Sequence, residues 1–131
     1  GTGRCLRKGK GVAVISIGPI GYNVEQAIDS RELPAAHYDL RFLKPLDEAL
    51  LREVAEHYDN IITVEDGARM GGMGSAVLEW MADNGYAPHV VRLGLPDHFV
   101  EHGTVEELQR LCGIDPESIG EAIARLYEQQ K

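Results

Sequence analysis

The residue types best suited to chemistry gather between positions 65 and 75. Glu65 and Asp66 are adjacent carboxylates, followed by glycines at 67, 71, 72 and 74 and then Ser75. A glycine loop that opens a helix can hold a phosphate on its backbone amides. The spacing here fits neither G-x-G-x-x-G nor G-x-x-x-x-G-K-[ST], and no lysine lies in the loop. The two carboxylates would also repel an anion placed beside them. A tight turn accounts for the pattern better, because glycine's access to positive φ lets loop and helix backbones pack closely. Ser75 cast as a nucleophile has no histidine nearby in sequence to activate it, whereas as an N-cap it needs only an amide of the first turn.

A second constellation is His98 and His102, four apart, with Asp97 and Glu101 beside them. Two imidazoles at i and i+4 face one metal only on a helix, and Pro96 and Gly103 bracket this segment. Two polar loop histidines are the simpler expectation. His37, His57 and His89 are scattered and are expected to satisfy local hydrogen bonds rather than act as bases. Gly18 and Gly21, with Asp39 about twenty residues on, imitate a dinucleotide fingerprint, but the glycine pattern is only G-x-x-G with Pro19 inside. On residues alone, this is a domain with no self-sufficient active site.

The elements that must position these groups alternate strand and helix. Residues 4–7 read as a short edge strand. Residues 12–17 and 61–64 are apolar on both faces, as inner strands of a parallel sheet should be, and are expected to be adjacent, with Glu65 and Asp66 at their carboxyl-end rim. Between them fall a helix from Asn23, its expected N-cap, a strand over 37–42, and a helix capped by Asp47 with Leu50, Leu51, Val54, Ala55 and Tyr58 at helical spacing. A helix from Ser75 carries Val77, Leu78, Met81 and Ala82 as its apolar stripe and ends at Asn84-Gly85. After a strand over 89–94 and an irregular connection, Thr104 and Glu107 form a capping box, with Leu108 and Leu111 directed inward. Asp115-Pro116 opens the last helix, whose buried stripe is Ile119, Ala122, Ile123 and Leu126. Such alternation predicts a small, mainly parallel α/β sheet with helices on both faces.

Composition sets the outer bounds. At 131 residues the chain is expected to form one domain over 1–131, with 1–10 as a basic edge strand or linker. A formal net charge of −8 argues against nucleic acid and anionic membranes as partners, although Arg4, Arg7, Lys8 and Lys10 crowd the first ten residues. No apolar run approaches the ~20 residues of a membrane span. Cys5 and Cys112 form no C-x-x-C, and a reduced cytoplasmic setting is expected.

Several stretches taken together carry a resemblance. They are Ser16-Ile17-Gly18-Pro19-Ile20-Gly21, Asp39-Leu40-Arg41-Phe42-Leu43-Lys44-Pro45-Leu46-Asp47, Val64-Glu65-Asp66-Gly67 with Gly71-Gly72-Met73-Gly74-Ser75, and Leu95-Pro96-Asp97-His98-Phe99 with Gly103-Thr104. From about Gly3 onward the chain resembles the C-terminal, third domain of the 1-deoxy-D-xylulose-5-phosphate synthases, within the wider transketolase-like family. The resemblance implies a three-layer α/β/α fold on a mixed five-stranded sheet, with the strand near 4–7 antiparallel to the rest. It also implies a homodimeric parent enzyme that uses thiamine diphosphate and Mg2+ to join pyruvate to glyceraldehyde 3-phosphate with loss of carbon dioxide, in isoprenoid precursor synthesis. In that family the cofactor is held by the N-terminal and middle domains, so no catalytic, cofactor or metal residue is carried over to this chain. Its implied part is dimer and interdomain packing. Glu65, Asp66, Gly71, Gly72, Gly74, Phe42 and Phe99 are the structural or interface candidates, and Tyr22, Phe42, Met70, Met73 and Phe99 are the expected apolar docking patch. Two other classes stay open: a free-standing module binding a small anion or nucleotide at the Gly18 or Gly71 loop, and the interaction subunit of a split transketolase-like enzyme.

Overall fold

The structure is a computed structural model that describes residues 2–66, 72–94 and 104–130. Five strands form one sheet: β1 (Arg4–Arg7), β2 (Val12–Ser16), β3 (Ala36–Asp39), β4 (Asn60–Glu65) and β5 (His89–Gly94), in the spatial order β1-β3-β2-β4-β5. β1 runs antiparallel to β3, and the other three pairings are parallel. The adjacency expected of the two apolar strands holds, with Val14 opposite Ile62 and Ser16 opposite Val64. Every residue of β2 is buried, as is the stretch from Ile61 to Val64.

Among the described residues five helices cover the sheet: α1 (Gly21–Arg31), α2 (Glu48–His57), α3 (Met73–Asp83), α4 (Val105–Leu111) and α5 (Pro116–Gln129). Alternation along the inner strands sorts their side chains between two cores. Ala13, Ile15 and Ile61 point to one face and pack with Leu51 and Val54 of α2 and with Val77, Trp80 and Met81 of α3. Val12, Val14, Ile62 and Val64 point to the other and pack with Val24 and Ile28 of α1 and with Ile119, Ile123 and Leu126 of α5. The result is the three-layer α/β/α arrangement. Each aliphatic side chain of this kind contributes about 1.5–3 kcal/mol when fully buried.

Three helix starts follow the sequence. Asp47 accepts from the Leu50 amide at 3.1 Å, Thr104 from Glu107 at 3.1 Å, and Asp115 from Ser118 at 3.3 Å. Two do not. α1 begins at Gly21 with Ile20 as its N-cap, and the Asn23 amide instead donates to Gln109 Oε1 and to the Ile114 carbonyl, both at 2.9 Å, which ties α1 to the end of α4. α3 begins two residues before Ser75, at Met73. Leu111, expected inside, is 69% exposed, because the seven-residue α4 offers its packing face through Leu108 and Gln109. The third strand is shorter than read, ending at Asp39 before Arg41 takes a positive φ of 65°.

Candidate functional site

The chain leaves β2 through α1 toward β3, then crosses back over β2 through α2 to reach β4. The strand order therefore reverses between β2 and β4, and the carboxyl ends of the strands at such a reversal are where open α/β sheets place their sites. Two glutamates stand on this rim, Glu65 at the end of β4 and Glu25 on the first turns of α1.

Glu65 is consumed by architecture. Its carboxylate accepts from the Met73 amide at 2.7 Å and from the Gly74 amide at 3.4 Å, the first amides of α3. Gly72, the N-cap, has φ 98° and no side chain to cap with, so the strand-end glutamate supplies the oxygens from eight residues upstream. The glycine at 74 is required by space, since a Cβ there would meet Thr63 Oγ1 and Arg92 Cδ at 3.0 Å. Ser75 lies inside the helix and receives an Arg92 guanidinium bond at 3.3 Å. Its expected capping role passes to Glu65, because the left-handed Gly72 starts the helix earlier than the serine. Asp66 is half-buried on the same rim. Gly71, Phe99 and Met70 lie outside the described residues, as do Asp97, His98, Glu101 and His102. Met73, expected on a docking surface, is fully buried under α3, whereas Tyr22 and Phe42 are 81% and 45% exposed.

The other carboxylate leads into a hydrogen-bonded chain that sequence reasoning missed. Ser16 at the end of β2 lies 2.7 Å from His37 Nε2, and His37 Nδ1 lies 2.5 Å from Glu25 Oε2. His37 is fully buried and Ser16 is 1% exposed. A carboxylate can only accept, so Nδ1 carries the hydrogen, Nε2 is left as an acceptor, and the Ser16 hydroxyl donates to it. Burial pushes the imidazole pKa below its ordinary value, against the opposing pull of Glu25 and Asp39 and with Arg7 adding to the depression. Arg7 of β1 holds the far side of Glu25 at 3.2 Å and Asp29 at 2.5 Å. His37 was expected to satisfy local hydrogen bonds, and it does so, but with two partners brought from separate elements. A polar serine closing an otherwise apolar strand was the one signal in the sequence.

Ser16 and Glu25 line a cavity of about 500 Å3 together with Leu6, Pro19 and Tyr22, and with Arg4 and Asp39 across it. A second hollow of about 540 Å3 lies over α3, where Leu43, Pro45 and Leu46 face Trp80. The Trp80 indole donates to Glu48 at 2.9 Å and sits beneath the Arg52 guanidinium at 5.2 Å. Among the described residues no three His, Cys, Asp or Glu side chains come together as a metal site. The described donors at the glycine loop do not fit a magnesium-bridged diphosphate either. The glutamate at the glycine loop already fills the helix N-terminus that such a phosphate would need.

Comparison with known proteins places this geometry. The family model described as transketolase, C-terminal domain, matches residues 1–119. A 1-deoxy-D-xylulose-5-phosphate synthase from Phocaeicola vulgatus is 55% identical over 123 residues, covering 91% of this chain and 20% of that protein. The synthase of Bacteroides thetaiotaomicron is 55% identical over 132 residues, 98% of this chain and 20% of that protein. That of Vibrio parahaemolyticus is 43% identical over 124 residues. The chain spans about a fifth of the length of the curated relatives it matches. Among solved structures, a split-gene transketolase described as an inactive beta4 tetramer aligns with a TM-score of 0.81 and 28% identity, over 99% of this chain and 43% of that one. A transketolase from Pichia stipitis aligns at 0.67 with 21% identity, over 98% of this chain and 18% of that one, a likeness of fold alone.

Proposed function

The chain belongs to the transketolase C-terminal domain family, and from that premise we propose that it serves as the C-terminal domain of a 1-deoxy-D-xylulose-5-phosphate synthase. Enzymes of this family depend on thiamine diphosphate and Mg2+. The parent joins pyruvate to glyceraldehyde 3-phosphate with release of carbon dioxide, and this domain contributes packing between domains and between subunits. The observation that carries the proposal is 55% identity sustained over 98% of the chain. The engagement of Glu65 with helix amides supports a scaffold role for the glycine loop rather than a phosphate site.

In this proposal the cofactor and metal are held by the parts of the synthase that precede this domain. Phe42 and Tyr22 remain as the exposed aromatic candidates for docking, while the buried Met73 is withdrawn from that patch. Phe42 precedes Leu43 in the chain, and Leu43 lines the apolar hollow over Trp80.

A domain exchange tests the proposal. The corresponding fifth of the Bacteroides thetaiotaomicron synthase is replaced by this chain, and carbon dioxide release from pyruvate is measured with glyceraldehyde 3-phosphate present. Activity within about tenfold of the parent, about 1.4 kcal/mol in barrier, is expected. A hybrid that folds and dimerises but is inactive would contradict it. The likeness to the split-gene chain supports a second arrangement, in which this domain works from a separate polypeptide. Restoration of activity by adding the chain to a synthase truncated before it would favour that arrangement.

A further inference from the structure

We propose that Ser16 is a nucleophile toward small acyl esters entering the cavity beside α1, with His37 as its general base and Glu25 orienting that base. The order of contacts is the one this chemistry requires. A hydroxyl lies 2.7 Å from one imidazole nitrogen, and a carboxylate lies 2.5 Å from the other. The three groups come from β2, β3 and α1, so each is fixed by a different packed element. Arg7 holds the carboxylate in turn at 3.2 Å, leaving Oε2 directed at the ring. Burial keeps the imidazole neutral near pH 7, the protonation state a base must have.

Ser16 also borders open space, although the residue is only 1% exposed. Ser16 lines the cavity of about 500 Å3, whose apolar wall of Leu6, Pro19 and Tyr22 suits a short acyl group. Leu6 and Tyr22 are two of the large apolar side chains left exposed, at 39% and 81%. Gly21 stands over the hydroxyl, and a Cβ there would lie 3.1 Å from Ser16 Oγ and 3.6 Å from the His37 ring. Arg4 on the cavity wall is the donor suited to an oxyanion.

The reaction balances within these groups and water. Oγ attacks the ester carbonyl carbon while its proton passes to His37 Nε2. The carbon–oxygen bond to the alcohol then breaks, and the departing oxygen takes that proton back from Nε2. Water repeats the sequence on the acyl-serine, releasing the carboxylic acid and restoring the hydroxyl. No oxidant or metal takes part in any step.

The 131-residue chain itself is the sample. It is treated with p-nitrophenyl acetate and, separately, with an alkyl fluorophosphonate, and the modified residue is located by peptide mass spectrometry. The expected result is a burst of one nitrophenolate per chain and a label on Ser16. Ser16→Ala should lower the acylation rate at least about a hundredfold, the usual scale of a base-activated nucleophile. Gly21→Ala, whose Cβ would lie 3.1 Å from Oγ, should slow labelling by crowding it. The burst rate should fall on acidification with a midpoint below 6.5, because the groups facing His37 are Ser16, Glu25, Asp39 and Arg7 and burial outweighs the two carboxylates. An unlabelled Ser16, a label confined to other residues, or an unchanged rate in Ser16→Ala would overturn the proposal. None of these outcomes bears on the domain exchange, which reports a different activity.

Discussion

Two glutamates at the same rim of the sheet meet different fates. Glu65 ends β4 and turns its carboxylate onto the first amides of α3, so its charge is matched by a helix terminus. Glu25 begins on a helix and turns its carboxylate inward onto a buried imidazole that reaches a serine. The first arrangement satisfies a carboxylate on backbone amides. The second transmits a carboxylate's preference through a ring to a hydroxyl at a cavity. Glycine-rich sequence marks the Glu65 region more loudly than the Ser16 region, because Gly72 serves a positive φ and Gly74 a close packing contact whether or not a ligand is present.

Truncation should separate the two regions by energy. His37→Ala removes a fully buried ring and leaves the Ser16 hydroxyl without its partner, while Glu25 keeps Arg7, at an expected cost of about 1–3 kcal/mol. Urea unfolding followed by far-UV dichroism would measure it, and a loss below the cost of an ordinary surface change would show that the chain of contacts contributes little. Glu65→Ala removes a cap and should cost about 1–2 kcal/mol, with the loss of protection concentrated in the first turn of α3 by hydrogen exchange.

Acid offers a smaller and more selective contrast. The folded-state pKa of His37 lies below its unfolded value of 6.5, so the unfolded chain binds the proton first. Stability from this group is therefore complete above 6.5 and declines as pH falls through the window beneath it. His37→Ala should flatten that part of the stability profile, while Glu65→Ala should leave it intact. Smallest of all, Ser75→Ala should stay within about 0.5 kcal/mol of the parent, since Ser75 does not cap α3. A loss like that of Glu65→Ala would return the cap to the serine.

Much of this architecture was legible because it is local. Two-sided apolar runs identified β2 and β4 as neighbours, and Asp47, Thr104 and Asp115 announced their helices by a cap and its partner three residues on. Where a tertiary partner decides, sequence spacing misleads. Asn23 and Ser75 have the composition of caps, but Gly72 and Glu65 set one boundary, and Asn23 is drawn away by Ile114, 91 residues distant in the chain. The Ser16–His37–Glu25 cluster was invisible for the same reason. Its members are 21 and 12 residues apart, and only the β2-α1-β3 crossover brings them together. Trp80 was likewise absent from the expected stripe of α3, since its burial depends on the packing of α2 and Tyr86 around it.

The central claim is that this domain is a scaffold within a thiamine-diphosphate enzyme and does not hold the cofactor itself. Its most direct test is titration calorimetry of the isolated chain with thiamine diphosphate and Mg2+, followed by a pyruvate decarboxylation assay on the same sample. A −2 to −3 ligand beside Glu65 and Asp66, on a chain of net charge −8, should produce no saturable heat and no carbon dioxide. Saturable binding at about micromolar affinity, about −8 kcal/mol, together with measurable turnover would contradict the scaffold assignment.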